Sequence, residues 1–293
     1  MGEDPRAGPA RICISVDVER DYRLDGRLTT RGIEEGLPAY LDRLRSLGLP
    51  HDLYISGEIV TVLPGNVLSL GDGKGALGCH GLRHEAGLTS YLSRKPRSVV
   101  EREIQTATES LRSRFGRQPV HFRAPNFSTS SDTIAALAAL GYRSDSSVLP
   151  GRHVRRWKAL TVLDHRGAPM DPYHADSRSP LREGNSPILE VPITPNPFSG
   201  GSPLGLGFLH YSGPAQVLRA INEVRSRYVI FLAHSWEMVD WHASDSIADW
   251  VPRSSSASPR TLEQLLTTLG PERFVNMDQI VEAELPPSGR STS

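Results

Sequence analysis

The chain has 293 residues, with 33 lysines and arginines balanced by 33 aspartates and glutamates, so its formal net charge is zero. That balance excludes the basic excess expected of a nucleic-acid or anionic-membrane binder. Two cysteines, Cys13 and Cys79, exclude a disulfide-built scaffold and read as reduced thiols, and no stretch approaches the ~18–20 apolar residues of a membrane span.

The opening segment MGEDPRAGPA lacks an apolar h-region and a cleavage pattern, so residues 1–10 are expected to be a flexible start on a soluble, cytoplasmic protein. RICISVDVE (11–19) is a short β-branched run that suits a buried strand ending at Asp17. In RGIEEGLPAYLDRLRSLGLP, Ile33, Leu37, Leu41 and Leu44 recur at helical spacing and stop at Gly48 and Pro50. HDLYISGEIV (51–60) is the next strand and its exit. GKGALG (73–78) matches the spacing of a dinucleotide-binding turn, but no helix can start at its third glycine because His80 and Gly81 follow at once, so a loop is expected.

RSVVEREIQTATESLRSRFG (97–116) is an amphipathic helix closed by glycine, and PVHFRAPNFS (119–128) is a strand running into a loop. SDTIAALAALGYRSDSS (131–147) opens on a Ser/Asp cap, forms a helix and gives way to another strand. From about 149 to 186 the pattern breaks into Arg, Pro, Ser and Gly, as in a lid or substrate loop. Within it RHVRRWKAL (152–160) is a basic run that reads either as a solvated edge or as a grip on a phosphate or carboxylate. ILEVPIT, PAQVLRAINEV, YVIFLAHSW and a closing helical unit up to 284 restore the alternation, and residues 283–293 read as a polar tail. One α/β domain over 11–282 is predicted, with function gathered on loops at the carboxyl ends of its strands.

Two patterns carry chemistry. Asp17 and Glu19, two apart on a strand, project to one face, and His80 and His84, four apart on one turn of helix, also share a face. Two imidazoles and one carboxylate leave coordination positions open, as a catalytic metal site requires, and a spare carboxylate is placed to act as a base. Each pattern alone is common without function: acids at strand ends often cap or pair with arginine, and a lone histidine after an apolar strand, such as His234, is usually a bonded core residue.

The order of motifs adds to this. SVDVE (15–19), HGLRH (80–84), FRAPNFS (122–128), YRSDSS (142–147) and FLAHSWE (231–237) resemble, in sequence, the motifs of the polysaccharide deacetylase or NodB-homology superfamily, carbohydrate esterase family 4, with features of the branch that holds the lipid-A-modification deformylase (ArnD-like). The resemblance implies a distorted (β/α) barrel with its site at the carboxyl-end mouth. It implies Asp17 as catalytic base, Glu19, His80 and His84 as metal ligands, Arg123 as the group orienting the base and His234 as general acid, with Asp145 tuning that histidine. Asn126 marks the oxyanion-donating backbone, and Trp236 is a candidate substrate contact. Val18 between the two acids departs from the commonest form of the first motif, and Asp21 competes with Glu19 for the ligand role.

The implied activity is metal-dependent removal of an N-acyl group, acetyl or formyl, from an amino sugar or sugar-bearing intermediate. The implied cofactor is a divalent ion, zinc first, with cobalt, nickel, manganese or iron as alternatives. The expected partner is that small molecule, not nucleic acid or a membrane, and homo-oligomerisation is left open. Rival readings are a non-sugar amide hydrolase of allantoinase type, a carbohydrate-binding homologue without turnover, and a non-haem iron oxygenase built on two histidines and a carboxylate.

Overall fold

In the computed structural model the described residues are 8–68, 74–84, 87–157, 159–249, 251–252 and 259–284. Most of both predicted flexible ends, Gly73 of the glycine-rich motif, Glu85 and Lys158 lie outside them.

Eleven strands are present among the described residues: β1 (Arg11–Val18), β2 (His51–Ile55), β3 (Gly75–Cys79), β4 (His121–Phe122), β5 (Ser144–Asp145), β6 (His153–Arg156), β7 (Leu160–Asp164), β8 (Tyr173–Asp176), β9 (Ser179–Glu183), β10 (Leu189–Glu190) and β11 (Tyr228–His234). Nine of them form one sheet in the order β11-β1-β2-β3-β4-β5-β10-β8-β9. Pairing is parallel from β11 through β10 and antiparallel at β8 and β9. The sheet curls into a half-barrel flanked by helices, the distorted (β/α) barrel expected from the sequence.

The parallel strands read as near-continuous apolar runs because both faces are covered. In β1 every residue after Arg11 is buried, and β11 is buried up to His234. Helix Arg97–Phe115 buries Val100, Ile104, Ala107 and Leu111 at helical spacing, and Gly116 ends it with φ of 68°, a conformation that favours glycine. Helix Ser131–Ala139 starts where Ser130 Oγ accepts from the Thr133 amide at 3.3 Å.

Three sequence expectations change. Residues 75–78 of the glycine-rich motif, expected to be a loop, lie in the buried strand β3. The first helix is not continuous: a wide turn with π-type hydrogen bonding spans Gly32–Gly36 before the regular helix Leu37–Ser46. Gly32 and Gly36 lie so close to Ser235 and Met238 that a Cβ would meet their backbone or side-chain atoms at 2.5–2.7 Å. The stretch from 149 to 186 is not a structureless lid. It folds as two hairpins, β6–β7 in a small sheet of its own and β8–β9 on the edge of the main sheet. Its strands are short, and β6 and β9 are largely polar, so the sequence gives only a weak alternation there.

Candidate active site

Five parallel strands deliver side chains to one end of the sheet. Asp17 is one residue from the end of β1, Asp145 and His234 are the last residues of β5 and β11, and His80 and Arg123 directly follow β3 and β4. This is the carboxyl edge, where connecting loops leave room for a site.

Glu19, His80 and His84 form the candidate metal set, with one donor atom from each lying within 4.8 Å of the others. The imidazoles do not share a helix turn as the spacing suggested. Residues 80–84 form a loop after β3, and Gly81 makes its bend with φ of 65°, where a Cβ would also meet the Pro125 ring at 2.9 Å. Two hydrogen bonds from the segment after β2 take the place of helical ones: the Gly57 and Glu58 amides donate to the Gly81 and Leu82 carbonyls, both at 2.9 Å.

Two of the three ligand candidates, His80 and Glu19, are held through their other polar atom. His80 Nδ1 lies 3.0 Å from the Arg123 carbonyl, to which it donates, leaving Nε2 as the lone-pair nitrogen 3.4 Å from Glu19 Oε2. Trp236 Nε1 donates to Glu19 Oε1 at 2.8 Å, so Oε2 is the oxygen turned toward the histidines, and His84 Nδ1 closes on it. Glu19 Oε2 is buried and accepts no well-aligned hydrogen bond among the described residues. Burial raises a carboxyl group, yet the two histidines outweigh it and hold Glu19 well below its ordinary range. A buried carboxylate oxygen facing two imidazoles, one of them fixed from behind by a backbone carbonyl, fits a divalent ion.

Asp21 does not compete. Its carboxylate accepts from Thr29 Oγ1 at 2.6 Å, the Arg31 amide at 2.8 Å and the Gly32 amide at 3.0 Å, and so caps the start of the first helical turn.

Asp17 lies between two cations. Arg123 Nη1 donates to Asp17 Oδ1 at 2.6 Å, while Oδ2 stands 3.9 Å from both His80 Nε2 and His234 Nε2. Arg123 is fully buried, with Nε on the Ser146 carbonyl at 3.0 Å, Nη2 on Ser146 Oγ at 3.1 Å and its guanidinium 4.1 Å over the Tyr54 ring. Gly78 makes that platform possible, since a Cβ there would stand 2.5 Å from the Tyr54 ring.

The acidic partner of His234 is Glu237, which the sequence reading missed. Glu237 Oε2 lies 3.2 Å from His234 Nδ1 and accepts from the His234 amide at 2.8 Å. Burial disfavours the imidazolium, but Glu237, with Asp17 and Glu19, pushes His234 up to about 9. Trp236 stacks on the His234 ring at 4.4 Å between centroids and 19° between planes, so it supports both the acid and Glu19.

Asp145, expected to tune His234, has other partners. Its carboxylate accepts from Thr129 Oγ1 at 3.0 Å and from Ser147 Oγ, and Ser147 Oγ in turn accepts from the Ala124 amide at 2.7 Å. It therefore shapes the loop that carries Arg123. Burial pushes Asp145 up to about 6 against the hydrogen bonds that pull it down, and burial together with the Asp145 charge holds Glu190 well above its ordinary range.

Asn126 and Phe127 both take positive φ, 57° and 58°, rare for residues with side chains, and both border the cavity over the metal set. That cavity measures about 730 Å³ and is bordered by Asp17, His80, His84 and His234. Two further aromatic residues belong to packing: Tyr173 is buried with its hydroxyl on the Pro180 carbonyl, and Trp241 is buried with Nε1 on the Trp236 carbonyl at 2.9 Å.

Residues 25–144 match the sequence profile of the polysaccharide deacetylases. Over that span, about two fifths of the chain, the sequence is similar to the polysaccharide deacetylases. The matched span contains His80, His84 and Arg123, whereas Asp17, Glu19 and His234 lie outside it and are brought in by β1 and β11. No curated protein matches in sequence. Solved structures share the fold at low identity. A Mycobacterium smegmatis protein provisionally described as a polysaccharide deacetylase is 18% identical, with TM-score 0.62 over 99% of this chain and 96% of its own. An allantoinase is 12% identical, with TM-score 0.57 over 96% and 93%. A family 4 pseudoenzyme of Bacillus anthracis is 10% identical, with TM-score 0.51 over 94% and 66%. Among the described residues no helix is long and apolar enough to cross a membrane.

Proposed function

We propose that the chain is a metal-dependent amide hydrolase that removes an N-acyl group, acetyl or formyl, from an amino sugar or sugar-bearing small molecule. One observation carries this reading: the Glu19, His80 and His84 donors meet beside an Arg-held carboxylate, Asp17, and an acid-held imidazole, His234. When bound, a divalent ion, zinc by preference for this nitrogen and oxygen set, would polarise an amide carbonyl and acidify a water. Asp17 Oδ2 accepts the proton of the attacking water, since Oδ1 is committed to Arg123. His234 Nε2 then donates a proton to the departing nitrogen, without which an amine is a poor leaving group. Asn126 and Phe127 border the cavity where a backbone amide would meet the developing oxyanion. A cavity of about 730 Å³ is within the range that encloses a small-molecule ligand, which favours a monomeric or short substrate over a long polymer.

The first test is metal content. Purified without a histidine tag, the wild-type protein is expected to carry about one equivalent of a divalent metal by elemental analysis, and His84→Ala should lose most of it. Near-zero metal in both, after incubation with zinc, cobalt, nickel and manganese, would overturn the reading. A second outcome concerns pH. A general acid must be protonated, and Glu237 keeps His234 so up to about 9. Glu237→Gln is therefore expected to move the alkaline limb of kcat/KM to lower pH, and an unmoved limb would remove His234 from the acid role.

A further inference from the structure

We infer that the pocket selects a substrate bearing an anionic group, a phosphate or a carboxylate, gripped by Arg152 and Arg156 on the β6–β7 hairpin. For its reaction this rests on the amide-hydrolase reading above; for its binding it does not. Arg152, Val154 and Arg156 all border the cavity that contains Asp17, His80, His84 and His234, while their neighbours His153 and Arg155 do not. Every second residue from Arg152 to Arg156 borders the cavity, the alternation of β6 and its approach, across the register shift between Val154 and Arg155.

Neither arginine has a carboxylate partner among the described residues, whereas Arg23, Arg31, Arg97, Arg166, Arg219 and Arg227 are all ion-paired. Arg152 is held in place but not neutralised. Its Nη1 donates to the Gly201 carbonyl at 2.7 Å, its guanidinium lies 5.3 Å over the Phe127 ring, and its Nε is buried without a hydrogen-bond partner. Burial holds its pKa below the usual arginine value, a cost that a bound anion would offset. Gly201, with φ of 78° and its Cβ position 3.1 Å from the Arg152 Cα, lets the 196–203 turn close on the arginine, and Asn196, Ser199 and Ser202 of that turn add polar groups to the same cavity.

The cavity ties the arginines to the reacting centre: Arg152 and Arg156 border it together with His84 and with Tyr22, whose ring packs edge-on against His84 with centroids 5.9 Å apart. An anionic substituent at these arginines would sit in the same cavity as the reacting amide. A guanidinium recognises phosphate or carboxylate through paired N–H donors, which no neutral sugar hydroxyl matches in strength.

The experiment compares N-acetylglucosamine, its 1-phosphate and an N-acetylated uronic acid, both as ligands by calorimetry and as substrates by amine release. The proteins are wild type, Arg156→Gln, Arg152→Gln and Arg152→Lys. In the wild type at least one charged compound is expected to bind ten-fold or more tighter than the neutral sugar, and the arms show whether phosphate or carboxylate is preferred. Each glutamine variant should cut that preference roughly ten-fold, about one charge-assisted hydrogen bond, and leave the neutral sugar unchanged, with Arg152→Lys in between. Equal affinity for charged and neutral compounds in the wild type overturns the inference, as does no binding of any of them at millimolar concentration. So does a loss in Arg156→Gln that falls equally on both kinds. Arginine-dependent anion binding without any amine release would instead sink the hydrolase reading and leave the anion site standing.

Discussion

Arg123→Met is expected to destabilise the protein by about 3–5 kcal/mol, the cost of leaving one member of a buried ion pair without its partner. Both Arg123 and Asp17 are buried, and the 2.6 Å bond between Nη1 and Oδ1 is the shortest that either makes. Removing the guanidinium leaves a carboxylate in a dry space among the metal-set residues, strips Ser146 of two donors and empties the space over Tyr54. Because a buried pair is worth little relative to an uncharged replacement of similar volume, Asp17→Asn combined with Arg123→Met should recover most of the loss. Urea unfolding at constant temperature measures all three proteins. A single Arg123→Met variant within 1 kcal/mol of wild type, on the order of a surface pair, would mean that the carboxylate is stabilised from elsewhere. The charge at Arg123 would then be unnecessary to the fold.

This pair was readable in the sequence only through its motifs. Strand-end acids and the histidines could be placed because parallel strands bury both faces, so a polar residue ending an apolar run stands out, as Asp17 and His234 do. Their mutual geometry could not be read. The His80–His84 spacing looks helical, but Gly81 turns the chain and the convergence comes from hydrogen bonds to the loop after β2. The tuning role of Asp145 rests on the motif resemblance alone, and a two-residue strand end can face either side; its serine and threonine neighbours bind it. Glu237 did leave a signal, three residues after His234, the interval at which an acid in a tight turn reaches back to its first residue. Trp236 was read as a substrate contact because tryptophan often stacks on sugars. Its indole N–H is needed by Glu19, and a buried indole normally takes such a partner.

Asp17→Asn is expected to lower kcat by roughly 10²–10⁴-fold, the usual contribution of a positioned general base, with metal content unchanged. The substitution separates two roles carried by different oxygens. An asparagine oxygen can still accept from Arg123, so the loop after β4 should keep its place, while the Oδ2 position between His80 and His234 can no longer take a proton. Binding should be nearly untouched, because Asp17 borders the cavity only at its floor beside the metal set, whereas the arginines proposed to grip the substrate stand on the β6–β7 hairpin. The loss should therefore fall on kcat with KM within a few-fold, the pattern of an interaction made only in the transition state. A protein that has kept the fold for binding alone gives a different result: ligand affinity would be the same in wild type and variant, and neither would release amine. If the variant turns over at the wild-type rate, the base is another group. Among the described residues that border the cavity, Glu237 is the remaining carboxylate, and its pairing with His234 would then have to be reinterpreted.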